Sequence, residues 1–365
     1  MAERKKIRLS LQEVQPGMAV AEPICLEGEK IAFLAEGALL TERILELLRL
    51  RGQDAVVVYV PAANDANFAM QTLFRETYQS LLGTLEGVFQ QLRYGGVVEK
   101  EQLNVLAEET MVVVHQPDIF SLLSMSGQGR ESFLHHSLNV GLLCGLLALW
   151  QNYDETMVRD AVTAGLLHDM GKSRVPEHIL EKHDVLLAHE QHVMHCHPFH
   201  SYQLLLGVSV PDRVCRAALH HHERLDGSGY PEGLKGDDIS PLAQLVAIAD
   251  VYDAMVSPRP YREAHSPLEA LEELLQGMFE RFNPAICMKM ADRLKDLLLG
   301  ATVVLDDGRE GVIRQFPHSL SPRPLIELPA GMYLDLDREP DLGLVAIHGL
   351  QGTWGSRGGV ESGNC

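Results

Sequence analysis

The chain has no excess of basic side chains. Its 31 Lys and Arg stand against 50 Asp and Glu, a formal net charge of −19 over 365 residues. A surface that binds DNA or RNA through phosphates needs cations to displace counterions, so nucleic acid is not an expected partner. The deficit does not exclude a small anionic ligand, because metal ions or a few local cations can set the field in a pocket. Cysteine is sparse and scattered: Cys25, Cys144, Cys196, Cys215, Cys287 and Cys365 include no C-x-x-C pair, and several lie in apolar helical contexts. They are expected to be reduced, buried, small hydrophobes. No run reaches about 18 apolar residues, so no membrane contact is expected, and MAERKKIRLS is no secretory signal. The expected compartment is the cytosol. No receiver-like or PAS-like input stretch is recognisable.

What is present is an ordinary globular composition, 46% hydrophobic and 22% charged, long enough for one sizeable core and one or two satellites. Residues 1–62 read as a small α+β module: strands at 7–16, 18–25, 31–40 and 55–60, and a helix at 41–51 with Thr41 as N-cap. Residues 63–128 hold a polar linker and helices leading inward. There Leu73, Tyr78, Leu81, Leu82, Leu85, Val88, Phe89 and Leu92 repeat at i, i+3/i+4 until Gly95-Gly96. A helix that long is a core helix, a stalk or a homodimer contact. Two more helices are expected at 103–114 and 117–125. From 129 to 300 helix follows helix, at about 132–151, 155–168, 189–206, 211–222, 240–256, 266–281 and 284–299, without period-two alternation. Residues 301–348 return to short strands and turns, and 349–365 form a Gly/Ser-rich tail expected to be disordered. The expected fold is mainly α: an all-helical core with a small α+β N-terminal module and a small β-rich C-terminal appendage.

The chemistry gathers around HHERLDGSGYP, residues 221–231. His221 and His222 end an apolar helical run, and Gly227 and Gly229 let the following turn approach a ligand closely beside Tyr230. A His-His pair alone is a weak signal; the rest of the chain supplies company. His168-Asp169 closes another apolar helix, His136 lies in FLHHSLNVGLL, His197 precedes Pro198, and Asp250 sits amid Leu245, Val246, Ala247, Ile248 and Ala249. A carboxylate in such apolar surroundings needs a cation or several donors. Five histidines and two aspartates are too many for one tetrahedral zinc and suit two octahedral ions of the Fe or Mn kind.

The pattern H…HD…H…HH…D with HHERLDGSGYP resembles the HD-GYP family of HD phosphohydrolases over about 130–300. HDMGK at 168–172, PEGLKGDDISPLAQ at 231–244 and IADVYDAMVSPRPYR at 248–262 agree with it. The resemblance implies hydrolysis of cyclic di-GMP to linear pGpG, and onward to GMP in some members, at a di- or trinuclear iron or manganese centre. It implies His136, His168, Asp169, His197, His221, His222 and Asp250 as ligands, with Asp169 bridging. It implies Lys172 as the catalytic cation on a phosphate oxygen, and Gly229, Tyr230, Arg259 and Arg262 as the substrate-binding residues, the tyrosine offering a face to guanine. The GYP loop is also a place for protein partners. The N-terminal module resembles one that often precedes HD-GYP domains. Trinuclear members carry a Glu four residues before the first histidine; four before His136 is Ser132, with Glu131 one place off, so two ions are expected.

Two cations about 3.5–4 Å apart would lower the pKa of a bridging water towards about 7 and clamp the attacking and leaving oxygens of a phosphodiester. Competing readings are a cyclic di-GMP sensor or adaptor that binds without turnover, and another nucleotide hydrolase of the HD class. Some histidines must be bystanders: His192 and His195 are expected to be solvated or to support ligands, and His135 and His220 to be structural. Asp253, three residues beyond Asp250, reads as a hydrogen-bonding partner. Glu223 and Asp226 read equally as anchors or as loop caps.

Overall fold

The computed structural model describes residues 6–11, 14, 18, 20–24, 34, 40, 44–45, 48–49, 51, 53–59, 65–116, 133–180, 182, 184–208, 210–257 and 265–348. The expected helix at 117–125, Glu131, Ser132, Arg259, Arg262 and the tail 349–365 lie outside them, as does most of 25–50. The chain separates into two compact units, Met1–Glu76 and Thr77–Cys365.

In the first unit, β1 (Lys6–Ser10) pairs antiparallel with β2 (Ala55–Tyr59), from Lys6↔Tyr59 to Ser10↔Ala55. Alternation places Leu9, Val56 and Val58 on one buried face, where Val20, Ile24, Leu40 and Leu48 join them. Helix α1 (Asp65–Arg93) begins inside the stretch read as a linker and runs on into the second unit. It stops where Gly95 takes a φ of +76° and the Gly96 amide donates back to Gln91 O at 2.7 Å.

The second unit is a helical core. Among the described residues its longer helices are α2 (Lys100–Val114), α3 (Phe133–Trp150), α4 (Glu155–Leu167), α5 (Ala188–Met194), α6 (His197–Leu206), α7 (Asp212–His220), α8 (Pro241–Val256), α9 (Pro267–Gly277) and α10 (Pro284–Leu298). Local chemistry starts many of them. α8, α9 and α10 each open on a proline at the first helical position, behind Ser240, Ser266 and Asn283, whose side chains accept from the first-turn amides. α3 is apolar all round, which suits a helix enclosed by others. It is long and apolar enough by composition to cross a membrane, yet 72% of it is buried inside the protein. It packs tightly on α4 because Gly165 faces Gly141: a Cβ on Gly165 would lie 2.7 Å from both Gly141 Cα and Val140 O. That close crossing brings His136 on α3 towards His168 at the end of α4.

One helix expected at 189–206 is two, α5 and α6, with a break at His195-Cys196. Pro198 explains it, since proline fits the first turn of a helix but not its interior. After Gly300 a five-stranded antiparallel sheet follows: β3 (Thr302–Leu305), β4 (Glu310–Gln315), β5 (Leu325–Leu328), β6 (Met332–Asp335) and β7 (Leu344–His348), in the order β6-β5-β4-β3-β7. Val303, Leu305, Ile313, Ile326 and Leu328 are its buried residues. The fold is therefore mainly α with two small sheets.

Candidate metal centre

Four segments meet at the HD turn. His168 caps α4, and Asp169 follows it into a single 3-10 turn, Met170–Arg174. Gly171 allows that turn to lie against the start of α6, since a Cβ there would fall 2.0 Å from His197 O and 2.5 Å from Ser201 N. The Gly171 amide donates to Ser201 Oγ at 2.8 Å, and Ser201 Oγ donates to His168 O at 2.6 Å. The pair of bonds fixes His197 beside His168 and Asp169. His221 is the C-cap of α7, His222 follows it, and α8 brings Asp250 and Asp253 up to His136.

Three of the imidazoles share one arrangement. His168 Nδ1 lies 2.7 Å from Gly165 O, His197 Nδ1 2.7 Å from Met194 O, and His221 Nδ1 2.8 Å from Ala218 O. A carbonyl only accepts, so each Nδ1 carries a proton and each ring turns its Nε2 inward. His197 Nε2 and His221 Nε2 then face each other at 3.3 Å. Two lone pairs that close repel unless a proton or a cation lies between them. Burial, reinforced by His222, His168 and His197, holds His221 well below the usual imidazole range, which disfavours the proton. With metal–nitrogen bonds of about 2.0–2.1 Å, two ligands on one ion sit about 3 Å apart, so a cation fits. Burial likewise pushes His222 down, to about 3.

Asp169 lies between two sets of donors. Its Oδ1 is 3.0 Å from His197 Nε2 and 4.0 Å from His221 Nε2. Its Oδ2 is 3.3 Å from His168 Nε2 and 3.9 Å from His136 Nε2. Asp250 Oδ1 is 3.0 Å from His136 Nε2 and 4.0 Å from His168 Nε2, and its Oδ2 is 3.8 Å from His222 Nδ1. Among the described residues, three groups place donor atoms within 4.8 Å of one another: His197, His221 and His222; His136, His168 and Asp250; and His168, Asp169 and His221. Burial works against the charge on both aspartates, but their cationic and histidine neighbours outweigh it and hold both carboxyls well below the usual range. His168 Nε2 and Asp169 Oδ1 are buried without a hydrogen-bond partner. Inward imidazole nitrogens, ionised carboxylates and orphaned buried atoms together make a His/Asp cluster able to bind metal.

Lys172 Nζ ion-pairs with Asp169 Oδ2. The loop beyond His222 folds back on the site. Gly229 packs so closely that a Cβ would lie 2.4 Å from His222 O. Tyr230 stacks on His222 at 4.6 Å between ring centres and on His195 at 4.4 Å. Glu223 is buried and its carboxylate accepts from the amides of Glu232, Gly233 and Leu234 at 2.7, 3.1 and 3.0 Å, so it is the loop's anchor. Asp226 accepts from Ser228 within the turn. His220 pairs with Glu232 at 3.3 Å.

Sequence reasoning missed Tyr78, Asn139, Gly171, Ser201 and the stacking of His195. The glycine of HDMGK was visible as a motif, but its contact with α6 was not. A tyrosine in an apolar stripe and an asparagine two residues after a serine carried no separable signal.

The HD domain family profile matches residues 121–286. Over 229 residues the chain is 34% identical to a cyclic di-GMP phosphodiesterase of Pseudomonas aeruginosa, PA4108, covering 62% of this chain and 55% of that protein. It is 41% identical over 160 residues to the cyclic di-GMP phosphodiesterase response regulator RpfG of Xanthomonas campestris, covering 43% and 41%. It is 41% identical over 168 residues to the 3'3'-cGAMP-specific phosphodiesterase 1 of Vibrio cholerae, covering 45% and 38%. The chain thus spans about half the length, or less, of these relatives. The fold is similar to that of Bd1817 from Bdellovibrio bacteriovorus, with a TM-score of 0.51 at 18% identity, over 80% of this chain and all of that one. The HD turn, the histidine pair and the HHERLDGSGYP loop thus converge on one cluster, within the stretch that matches the HD domain profile and that is similar to proteins named cyclic di-GMP phosphodiesterases.

Proposed function

We propose that this chain is a metal-dependent phosphodiesterase that opens cyclic di-GMP to linear pGpG, with onward cleavage to GMP as a second step. The observation that carries the proposal is the placement of Asp169, whose two oxygens face two different sets of histidines. In this reading His197, His221 and His222 would hold one ion, His136, His168 and Asp250 would hold the other, and Asp169 would serve both. Two divalent ions of the Fe or Mn kind, when bound, would supply hydroxide at neutral pH and concentrated positive charge on the phosphate oxygens.

The remaining parts follow from the chain. His168, His197 and His221 offer Nε2 because backbone carbonyls hold their Nδ1 protons, so these three need no change of tautomer to accept cations. Lys172 stands next to the bridging carboxylate, where its ammonium can meet a phosphate oxygen and oppose the charge that grows in the transition state. Cleavage breaks the bond between phosphorus and O3', leaving a 3'-hydroxyl and a 5'-phosphate. The imidazole–phenol stack of His222, Tyr230 and His195 forms an aromatic edge beside the centre, suited to a purine base. Gly229 keeps that edge close, and Arg259 and Arg262, which lie outside the described residues, carry guanidinium groups suited to the nucleotide's phosphates.

Relatives named for cyclic di-GMP and for 3'3'-cGAMP frame the test. Purified protein loaded anaerobically with Mn²⁺ or Fe²⁺ is incubated with each cyclic dinucleotide, and linear product is followed with Asp169→Ala as control. Faster loss of cyclic di-GMP supports the proposal. Faster loss of the mixed dinucleotide redirects the substrate, and binding without product makes the chain a sensor. Full activity of the Asp169→Ala protein removes the centre.

A further inference from the structure

His136 differs from His168, His197 and His221. Its Nδ1 does not reach a backbone carbonyl; it donates to Asp253 Oδ2 at 2.7 Å. Asp253 is buried and does not stand alone, because its Oδ1 accepts from Asn139 Nδ2 at 2.9 Å. The other end of that amide, Asn139 Oδ1, accepts from the Tyr78 hydroxyl at 2.8 Å. The polarity of the series is forced. A carboxylate only accepts, so Asn139 must turn its NH₂ to Asp253 and its oxygen to Tyr78, and the phenol must donate. Tyr78, Asn139 and Asp253 are all buried, so water does not compete for these bonds.

We propose that Tyr78 and Asn139 are positioning residues of the metal centre, setting the ring of His136 through Asp253 from as far away as the long helix α1. The inference rests on the metal-centre reading above and extends it beyond the seven donors. Tyr78 lies 61 residues from Asn139 in sequence, and Asn139 lies 114 from Asp253, so the line joins three separate helices, α1, α3 and α8. Without Asn139, Asp253 loses one of its two partners and is free to rotate away from His136. Without the Tyr78 hydroxyl, the amide of Asn139 loses the acceptor-side bond that fixes its orientation. Groups that orient ligands in this way typically change metal affinity about 10- to 100-fold when removed. A mere packing role for Tyr78 would instead lower stability and leave affinity alone.

The test is titration of chelator-stripped protein with Mn²⁺, followed calorimetrically, and with Co²⁺, followed by its visible absorption. Wild type is compared with Tyr78→Phe, Asn139→Ala and the packing control Leu85→Ala, a buried α1 residue outside the line. Far-UV circular dichroism and thermal melts are recorded for each metal-free protein. Tyr78→Phe is expected to weaken one of two binding events about tenfold, and Asn139→Ala by about 10- to 100-fold. The other event stays unchanged, and the Co²⁺ spectrum of the weakened site shifts. Leu85→Ala should lower the melting temperature but keep both affinities. Tyr78→Phe changes one hydroxyl and no packing volume, so it decides the matter if Asn139→Ala does not fold. Two wild-type binding events in folded Tyr78→Phe protein overturn the inference alone. Equal weakening by Leu85→Ala also overturns it, as a stability effect. A wild-type protein that takes up no ion overturns the metal-centre reading, and this inference with it.

Discussion

His197 and His221 turn their Nε2 atoms towards each other at 3.3 Å, although both rings have given their Nδ1 protons to backbone carbonyls. With neither a proton nor a cation between them that contact is repulsive, and it is buried. Metal should therefore stabilise the protein. At a free Mn²⁺ concentration 100 times its dissociation constant, the gain is about 2.7 kcal/mol per site. Thermal melts with and without Mn²⁺, reversed by chelator, measure it, and His221→Ala should abolish most of the shift. An identical melting temperature in both conditions would mean the cluster does not take that ion.

Lys172 pairs with Asp169 Oδ2, an oxygen assigned to an ion. Removing the ammonium takes away a competitor for that carboxylate, so Lys172→Met should load metal at least as well as wild type. Its hydrolysis rate should nonetheless fall about 100- to 1,000-fold, since a charge aimed at the transition state is lost. Metal analysis and single-turnover rates on the same preparation separate the two effects. Metal loss without a further rate defect would make Lys172 a structural partner of Asp169.

Gly171 has no room for a methyl group, with His197 O only 2.0 Å from where one would sit. Gly171→Ala must push the HD turn off α6, at a cost of about 3 kcal/mol or more. The same displacement separates His197 from Asp169, so metal uptake should weaken along with stability in urea denaturation. A variant with wild-type values of both would show that the turn can relax without cost.

Glu223 holds the GYP loop through three amides. Glu223→Gln keeps the shape but loses the charge and one acceptor oxygen, which should cost about 2–3 kcal/mol of loop order. Hydrogen exchange should rise at residues 232–234, and the KM for the nucleotide should increase while metal content stays constant. Unchanged exchange there would remove Glu223 as the anchor.

Much of the helical core was legible because its causes are local. An apolar stripe at helical spacing marked α1, and apolar runs marked α3, α4 and α8. The side-chain types of the cluster were legible too, since a histidine pair, an HD dipeptide and an aspartate among aliphatic residues are costly to leave without a cation. Asp253 does hydrogen-bond His136, as its spacing from Asp250 suggested. The break that separates α5 from α6 was missed, although Pro198 was there to read. Two small sheets accompany the helices, one in each unit, but most of the expected N-terminal strands and the helix at 41–51 fall outside the described residues.

The sequence by itself determined which side chains were available and which faces of the helices were apolar, because those follow from residue type and periodicity. Only the tertiary structure decided which imidazole nitrogens point inward, which oxygen of Asp169 meets which histidine, and that Tyr78 reaches His136 through Asn139 and Asp253. Those relations join residues far apart in the chain or depend on the orientation of one side chain. Neither is encoded by spacing along a helix; both arise when close crossings such as Gly141 on Gly165 and Gly171 on His197 fix one helix against another.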